Sequence, residues 1–212
     1  MFAGITQNPH FKWYAQQINS GFTSRITEYF YRYRYGEQAE SLMARPPYDL
    51  PRSKAFYDIG WAALHSDLIN AKNDVGLFLK SSPMGSWSHS HGEQNSFTLT
   101  AFGEPLAISS GYYDWYGSPH HFEFTRQSRS KNTILVNGQG QPYRSRQAAG
   151  EIVDLFTGAG YDLTIGEAGT AYEGKLNQFT REILYSVADY FIVMDYLNAP
   201  EPSYYNWLFH TP

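Results

Sequence analysis

The sequence contains no cysteine, which excludes disulfide bonds and thiolate metal ligands and leaves the redox compartment open. Charged residues make up only 17% of its 212 residues, no basic run is present, and the net charge is -4 at pH 7. The electrostatic pattern of a nucleic-acid-binding protein is therefore missing. No apolar stretch reaches the roughly 18 residues that a membrane span requires. Neither a nucleic acid nor a membrane is expected as a partner.

Aromatic residues, by contrast, are abundant. They make up 17% of the chain, with 18 Tyr, 14 Phe and 5 Trp. Tyr and Trp combine a large apolar face with a polar group, a combination that suits surfaces that stack on sugar rings. Because the overall charge is negative, an acidic ligand would have to be met by local cations. This composition suits a carbohydrate ligand.

The first fifty residues have the 3.6-residue period of helices. Residues 9–20 begin with Pro9 in a first-turn position and carry apolar side chains three and four apart, and Gly21 is expected to end this helix. A second helix is predicted over residues 23–35, ending before Gly36. These two segments predict a helical hairpin.

From Phe56 onward the period changes to two, which is typical of half-buried strands. Nine short runs rich in β-branched and aromatic residues are separated by Gly, Pro, Asn or Asp, and a further short strand is predicted over residues 106–109. The nine runs are residues 58–66, 75–82, 96–103, 132–138, 150–158, 161–169, 179–187, 190–197 and 203–209. A mainly β protein is predicted, with an antiparallel β-sandwich over residues 51–212 and a helical segment with a proline-rich linker over residues 1–50.

The stretch GSWSHSHGEQNSF, residues 85–97, is dense in polar side chains. On a strand, His89 and His91 would point to the same face and could converge on one metal ion or one substrate. A zinc site needs three or four protein ligands, so one or two more would have to come from elsewhere. The alternative is that one histidine bonds a loop carbonyl and the other is solvated.

A second polar and aromatic stretch, residues 110–121, reads SGYYDWYGSPHH. Tyrosine hydroxyls can act as general acid or base when a neighbouring group lowers their pKa, and tyrosine rings can stack on sugars. Tyr113 and Tyr116 are the candidates for these roles, with His120 and His121 beside them. The alternative is an aromatic cluster that seals one end of the sandwich.

A third stretch, residues 125–132, carries Arg126, Arg129 and Lys131 within six residues. The planar arginine fork matches carboxylate or sulfate, so this stretch is the best local site for an acidic ligand. The alternative is a solvated surface strand.

Together and in this order, these stretches resemble the heparinase II/III family of polysaccharide lyases, which includes oligo-alginate lyases and is related to dermatan sulfate epimerase. The similarity covers most of residues 53–212. The matching segments are GWAALHSD (60–67), FLKSSPMGSWSHSHGEQNSFTLTAFGEPLAISSGYY (78–113), GSPHH (117–121) and RQSRSKNTILVNGQGQ (126–141).

The resemblance implies a helical (α/α) toroid followed by stacked antiparallel sheets, with residues 1–50 as the end of the toroid and the chain as a fragment of a larger enzyme. It implies β-elimination of an acidic polysaccharide, with His89 in the active site and His91 as a metal ligand, usually to zinc. Tyr113 and Tyr116 are expected to stack on the sugar or donate a proton. The expected substrate-binding residues are Asn95, His120, His121, Arg126, Arg129 and Lys131.

At the metal site the sequence departs from the family pattern. Metal-binding relatives have Asp and His where this chain has Ser109 and Lys131, and a protonated Lys cannot coordinate zinc. Either Glu93, His120 or Asn132 substitutes, or this branch lacks the metal and Lys131 supplies the positive charge. We favour the second interpretation.

Two other functions stay open at this point: a non-catalytic carbohydrate-binding β-sandwich, and a uronyl C5-epimerase, which begins with the same proton abstraction. The fragment alone is expected to be inactive, and a periplasmic or secreted location is what the family implies. The oligomeric state, the polymer and its sulfation are not determined by the sequence.

Overall fold

The computed structural model describes residues 2–17, 26–186 and 190–212. The chain divides into two compact units, Met1–Leu50 and Pro51–Pro212. Within the described part of the chain, no helix has the length and apolar character needed to cross a bilayer.

The described residues of the first unit form three helices: α1 (Phe2–Thr6), α2 (Pro9–Gln17) and α3 (Ile26–Ser41). Pro9 occupies the first helical position of α2, as predicted, and the Asn8 side chain caps this helix by accepting a hydrogen bond from the His10 N–H at 2.9 Å. The predicted end of this helix at Gly21 lies outside the described residues.

Helix α3 continues through Gly36, so the predicted end before this glycine is wrong. A glycine inside a helix costs only about 1 kcal/mol relative to alanine. The residues after it, Glu37-Gln-Ala-Glu40, are strong helix formers that carry the helix onward. Helix α1 was not predicted. It approaches α3 closely at Gly4, where a Cβ atom would lie 2.5 Å from the Tyr35 carbonyl oxygen.

The second unit is built from antiparallel strands, and each of the nine predicted strand segments contains one. In chain order they are β1 (Lys54–Phe56), β2 (Trp61–His65), β3 (Val75–Lys80), β4 (Ser96–Ala101), β5 (Glu104–Ala107), β6 (Ile134–Val136), β7 (Glu151–Thr157), β8 (Tyr161–Glu167), β9 (Gln178–Ser186), β10 (Tyr190–Asn198) and β11 (Tyr205–Trp207). The short predicted strand near residue 106 corresponds to β5, two residues earlier, and β1 was not predicted.

Two of the three sheets face each other. One has the order β1-β2-β3-β4-β5 and the other β10-β9-β8-β7. Alternate side chains of both sheets, such as Leu64, Leu77 and Leu79 from the first and Ile183 and Tyr185 from the second, form one buried cluster. The prediction of an antiparallel β-sandwich is confirmed.

The third sheet pairs β6 with β11, and its buried side chains form a second cluster with Tyr172 and Phe179. The loops before β4 and β6 carry the polar stretches described above. The fold therefore brings sequence-distant polar segments to one region of the sandwich.

Arg181 on β9 ties these loops to the sheets from the inside. It is fully buried, and its Nε and Nη2 donate to the Asp195 carboxylate at 2.7 and 2.6 Å. Its Nη1 donates to the carbonyl oxygens of Asn95 at 2.5 Å and Asn132 at 2.8 Å. The buried Arg181 guanidinium thus fixes the backbone where one loop leads into β4 and where another leads into β6.

Replacing Asp195 with Ala is expected to lower the free energy of unfolding by about 3–5 kcal/mol, because it leaves the buried Arg181 charge without its carboxylate. Urea denaturation measures this change. The exposed Glu201→Ala variant serves as the control and should stay within about 0.5 kcal/mol of wild type. Equal stability of the two variants would show that the ion pair does not hold the fold.

Candidate active site

Residues 85–95 lie in the loop between β3 and β4, which is built from turns, and residues 96 and 97 begin β4. Ser88 has a positive φ of 59°, which reverses the chain just before the histidine pair. His89 is exposed and its ring lies 5.0 Å from that of Tyr116, whereas His91 is half-buried. The strand geometry that would aim both imidazoles at one point is absent, so the two histidines occupy different environments.

Arg126 holds this loop on both sides of His89. Its Nη2 donates to the carbonyl oxygens of Ser88 and Ser90, the latter at 2.7 Å. Its own carbonyl oxygen accepts a hydrogen bond from the Gly92 N–H at 3.0 Å. The backbone position of the exposed His89 therefore depends on the buried Arg126 guanidinium.

The three predicted ligand-binding cations have different surroundings. Arg126 is 0% exposed and Lys131 only 2%, and Arg129 is exposed. A polymer cannot reach Arg126 or Lys131, so their predicted direct contact with substrate is corrected to a supporting role. Arg129 is accessible, and its substrate contact stays a prediction.

Asn95 is also buried completely, and its Nδ2 donates to the carbonyl oxygens of Gly166 at 3.1 Å and Phe179 at 2.8 Å. A Cβ atom on Gly166 would lie 2.4 Å from the Asn95 Oδ1, so the glycine makes room for this side chain. The predicted substrate contact of Asn95 does not fit this position. Its amide anchors the loop to the second sheet.

Rings of the second polar stretch gather around His121. Its ring centroid lies 4.3 Å from that of Tyr113 and 4.9 Å from that of Tyr116, and Tyr116 in turn contacts His89. His121 is buried, while Tyr113 and Tyr116 are 40% and 50% exposed. The structure thus brings four predicted site residues, His89, Tyr113, Tyr116 and His121, into one cluster whose outer members face solvent.

The protonation of His121 follows from its partner. The Gly117 N–H donates to its Nδ1 at 2.9 Å, so that nitrogen carries a lone pair and the neutral ring is protonated on Nε2. Burial lowers the pKa of His121, and the positive charges of Arg126 and Arg144 lower it further. His121 is therefore a neutral support for the tyrosines, and a polymer does not reach it directly.

His120 is exposed and stacks on Phe124, with ring centroids 5.2 Å apart. Among the described residues, its ring stacks on Phe124 and on no ring of the cluster around His121. The nearby Tyr112 and Trp115 are 97% and 62% exposed. This part of the loop is an open aromatic surface, and substrate binding by His120 stays a prediction.

Beside His91 lies a partly buried charge cluster of Lys80, Glu93 and Lys131. The Glu93 carboxylate accepts a hydrogen bond from the Lys80 ammonium at 2.6 Å, and the Lys131 ammonium lies 3.7 Å from its other oxygen. Burial acts to raise the pKa of Glu93, but Lys80 and Lys131 outweigh it and the pKa is lowered. Burial also lowers the pKa of Lys131, against the opposing effect of Glu93. The cluster carries one carboxylate and two ammonium groups.

His91 is a neutral imidazole beside this cluster. Burial is the main cause that lowers its pKa from 6.5 to about 4, and the charge of Lys131 is the next. The His91 imidazole binds a proton more tightly in the unfolded chain than in the folded one. The contribution of the neutral His91 to the free energy of unfolding is therefore fully present above about pH 6.5 and is lost as the pH falls towards 4. The depth of this loss is roughly 3 kcal/mol.

We therefore expect wild type to lose roughly 3 kcal/mol more stability than His91→Gln between about pH 7 and about pH 4. Urea denaturation at each pH measures the difference. The exposed His120→Gln variant controls for the loss of an imidazole and should follow wild type. If the stability of His91→Gln depends on pH in the same way as that of wild type, His91 is not the neutral imidazole that causes the loss.

The positions of the family's metal ligands, which are His91, Ser109 and Lys131 in this chain, do not suit a metal ion. At the third position stands an ammonium group that faces Glu93, and an ammonium has no lone pair to donate. Nowhere in the described ranges do three or more His, Cys, Asp or Glu side chains form a group that could hold a metal ion.

The possible substitutes are engaged elsewhere. Glu93 is paired with two lysines and His120 stacks on Phe124. The Asn132 Nδ2 donates to the carbonyl oxygens of Phe97 and Ile108, and its Oδ1 accepts from the His210 N–H at 2.7 Å. The side chains present therefore favour Lys131 as the local positive charge.

Zinc is accordingly expected to dialyse away from the wild-type chain, with no change in melting temperature. A Ser109→Asp/Lys131→His variant supplies the carboxylate and imidazole that the family pattern has, and zinc should raise its melting temperature. Thermal unfolding with and without zinc tests both statements. One zinc ion retained by wild type would contradict the ammonium assignment.

Comparison with known proteins identifies the fold family. The family model described as heparinase II/III-like, C-terminal, matches residues 49–212. The chain belongs to this family. It is a family of polysaccharide lyases, as the resemblance of the polar stretches implies.

Solved structures share the fold of this heparinase II/III-like domain. A heparinase III superposes with a TM-score of 0.68 and 16% identity, over 89% of this chain and 30% of its own. The heparan sulfate lyase HepC from Pedobacter heparinus superposes with a TM-score of 0.62 and 20% identity, over 91% of this chain and 28% of its own. Another heparinase III superposes with a TM-score of 0.58 and 20% identity, over 76% of this chain and 24% of its own. The chain thus spans less than a third of each of these structures, and no curated protein sequence matches it.

Sequence reasoning missed several residues of this region of the heparinase II/III-like domain. One of them is Lys80, which pairs with Glu93. It is the last residue of a strand and lies outside the polar stretches that indicated the site. The other missed residues are Trp87, Phe122, Tyr143, Arg144 and Arg146. The run PYRSR, residues 142–146, was the available signal, since it alternates ring and cation directly after a turn.

Proposed function

We propose that this chain supplies the β-domain side of the active site of a lyase that cleaves a uronic-acid-containing polysaccharide by β-elimination. The observation that carries the proposal is the exposed His89, in contact with Tyr116 and held in place by the buried Arg126. The solved structures with this fold include heparinases and a heparan sulfate lyase, which favours a glycosaminoglycan substrate.

The reaction needs three things from the protein. The charge of the C6 carboxylate must be neutralised so that the developing enolate is tolerated. A base must remove the proton at C5, and an acid must protonate the leaving O4. His89 is suited to proton transfer or, when protonated, to carboxylate neutralisation.

Tyr113 and Tyr116 complete the exposed side of the cluster. Each presents a half-exposed ring and hydroxyl beside His121, so each can stack on a pyranose or donate a proton to the leaving oxygen. The resemblance implies that the remaining catalytic groups belong to a helical domain. We propose that Met1–Leu50 is the end of that domain.

The experiment is elimination by the full-length protein. It is mixed with heparan sulfate, chondroitin sulfate and alginate, and the absorbance of the unsaturated uronate product is followed. Product from at least one polymer supports the proposal. Absence of product from all uronic-acid polymers would overturn it.

A second candidate is a non-catalytic carbohydrate-binding module, favoured by the exposed rings of Tyr112, Trp115 and Tyr116. It predicts oligosaccharide binding by this chain and no elimination by the full-length protein. The His89→Ala variant separates the two functions, because it should abolish catalysis in a lyase and leave binding almost unchanged in a binding module.

A further inference from the structure

A strip of alternating rings and cations borders the candidate active site. It consists of Trp87, Phe122, Tyr143, Arg144 and Arg146, which we call the arginine strip. None of these residues has a role in the site described above except through the effect of Arg144 on the pKa of His121. The first residue of the strip, Trp87, lies two residues before His89 in the same loop.

Backbone hydrogen bonds fix the strip to the loop that carries His89. The Ser86 N–H donates to the Ser145 carbonyl oxygen and the Arg144 N–H donates to the Ser86 carbonyl oxygen, both at 2.8 Å. The two segments approach so closely that a Cβ atom on Gly85 would lie 2.6 Å from the carbonyl oxygens of Ser145 and Arg146. The position of both arginines is therefore tied to that of the histidine loop.

Each arginine rests on an aromatic ring. The Arg144 guanidinium lies 4.7 Å from the centroid of Phe122, and the Arg146 guanidinium lies 5.1 Å from that of Trp87. Such a contact restricts the rotamers of a long side chain and leaves its N–H edge pointing away from the ring. Both guanidiniums are thus oriented before a ligand arrives.

A carboxylate lies near this part of the strip: the Ser145 hydroxyl donates to Glu173 at 3.0 Å, and Ser145 stands in sequence between the two arginines. Both arginines are exposed, and within residues 26–186 and 190–212 no carboxylate lies within ion-pair distance of either. The protein as a whole carries a net charge of -4, so two exposed, ring-supported cations outside ion pairs stand out against it. The planar fork of a guanidinium matches the oxygens of sulfate and carboxylate.

The strip is continuous with the catalytic cluster. Phe122 follows His121, with their ring centroids 5.0 Å apart, and it stacks on Tyr143 at 6.3 Å. The buried Arg126 lies 5.3 Å from the Tyr143 ring centroid. Side-chain contacts therefore run without a break from His121 through Phe122 to Tyr143 and Arg144.

We propose that Arg144 and Arg146, oriented by Phe122 and Trp87, form a subsite for a sulfate or carboxylate group on a sugar neighbouring the one at His89. The inference rests on the proposed function, because the site at His89 defines where the neighbouring sugar lies. It adds a specificity determinant that selects acidic chains over neutral ones.

The test measures binding of size-matched oligosaccharides to this chain by titration calorimetry. The probes are a sulfated heparin oligosaccharide, its fully desulfated counterpart, which keeps the carboxylates, and a neutral maltooligosaccharide. Arg144→Gln/Arg146→Gln is expected to weaken binding of the heparin oligosaccharide by about tenfold or more. Arg144→Lys/Arg146→Lys keeps the charge without the fork and should fall between this variant and wild type.

The control is Arg52→Ala/Lys72→Ala, which removes two exposed cations away from the strip and should bind within about twofold of wild type. If desulfation alone lowers affinity to that of the glutamine variant, the strip recognises sulfate; if the desulfated probe keeps its dependence on the arginines, it recognises carboxylate. A glutamine variant equal to the control, or a neutral probe that binds as well as heparin, overturns the subsite.

Failure of the subsite can be told apart from failure of the proposed function. If the full-length protein yields unsaturated uronate and the glutamine variant binds like the control, the subsite is wrong and the function stands. If the arginine-dependent binding is found and no polymer is cleaved, the subsite stands and the lyase function is wrong. Far-UV circular dichroism of each variant confirms that it is folded.

Discussion

His89→Ala in the full-length protein is expected to lower kcat for uronate elimination by about 10²- to 10⁴-fold, the usual contribution of a positioned proton-transfer group. His89 is the exposed imidazole of the cluster, and its neighbours Tyr116 and His121 remain in place when its ring is removed. The initial rate of absorbance increase at saturating polymer measures the effect. KM is expected to change little, because the substitution leaves intact the arginine strip and the exposed tyrosines, which are the proposed contacts to the sugar chain.

The matched control for this variant is His210→Ala. The backbone N–H of His210, which the substitution keeps, makes the shorter contact with the Asn132 Oδ1, 2.7 Å against 3.3 Å for the ring. This variant removes one imidazole from the same domain and should retain wild-type kcat. Equal loss in both variants would mean that kcat responds to stability and not to the chemistry of His89.

Arg126→Met is the second large effect, with an expected fall in kcat of about 10²-fold and an unchanged KM. The substitution releases the carbonyl oxygens of Ser88 and Ser90, which flank His89, and a misplacement of about 1 Å in a reacting group is enough for such a loss. Arg126→Lys keeps one donor group that can reach the carbonyls, so it should recover part of the lost kcat. Steady-state kinetics of both variants measures the split between kcat and KM.

A double variant separates positioning from stability. If Arg126 acts through His89, adding Arg126→Met to His89→Ala should cause no further loss of kcat, although it lowers the melting temperature. Additive losses in kcat would show that Arg126 contributes independently of His89. Additive losses in kcat would also follow if Arg126 only stabilised the domain, and they would therefore contradict a positioning role.

The strands were predictable because alternation depends on local sequence alone. Leu64 and Leu77, for example, face the core at the positions that period two assigns to them. The end of α3 was mispredicted because one weak helix former, Gly36, was given more weight than the four strong ones after it.

The polar loops were less predictable, because their side chains depend on partners far along the chain. Arg126 and Lys131 are charged residues in a polar run, and such residues are usually exposed. They are buried here because the carbonyl oxygens of residues 88 and 90 and the carboxylate of Glu93 lie opposite them. Nothing in the spacing of the sequence indicates these partners.

The histidine pair shows the same limit. His89 and His91 are two residues apart, and the turn at Ser88, the burial of His91 and the charges of Lys131 and Glu93 give them different environments. The departure of Ser109 and Lys131 from the family pattern was visible in the sequence. The pairing of Lys131 with Glu93 required the structure.

The most direct test of the central claim is mass spectrometry of heparan sulfate after treatment with the full-length protein in deuterium oxide. A lyase that abstracts the C5 proton predicts shortened chains with an unsaturated uronate at the new end. Intact chains that carry deuterium at C5 would contradict elimination and indicate an epimerase. Intact chains without deuterium would contradict the account as a whole for this polymer and favour a binding module.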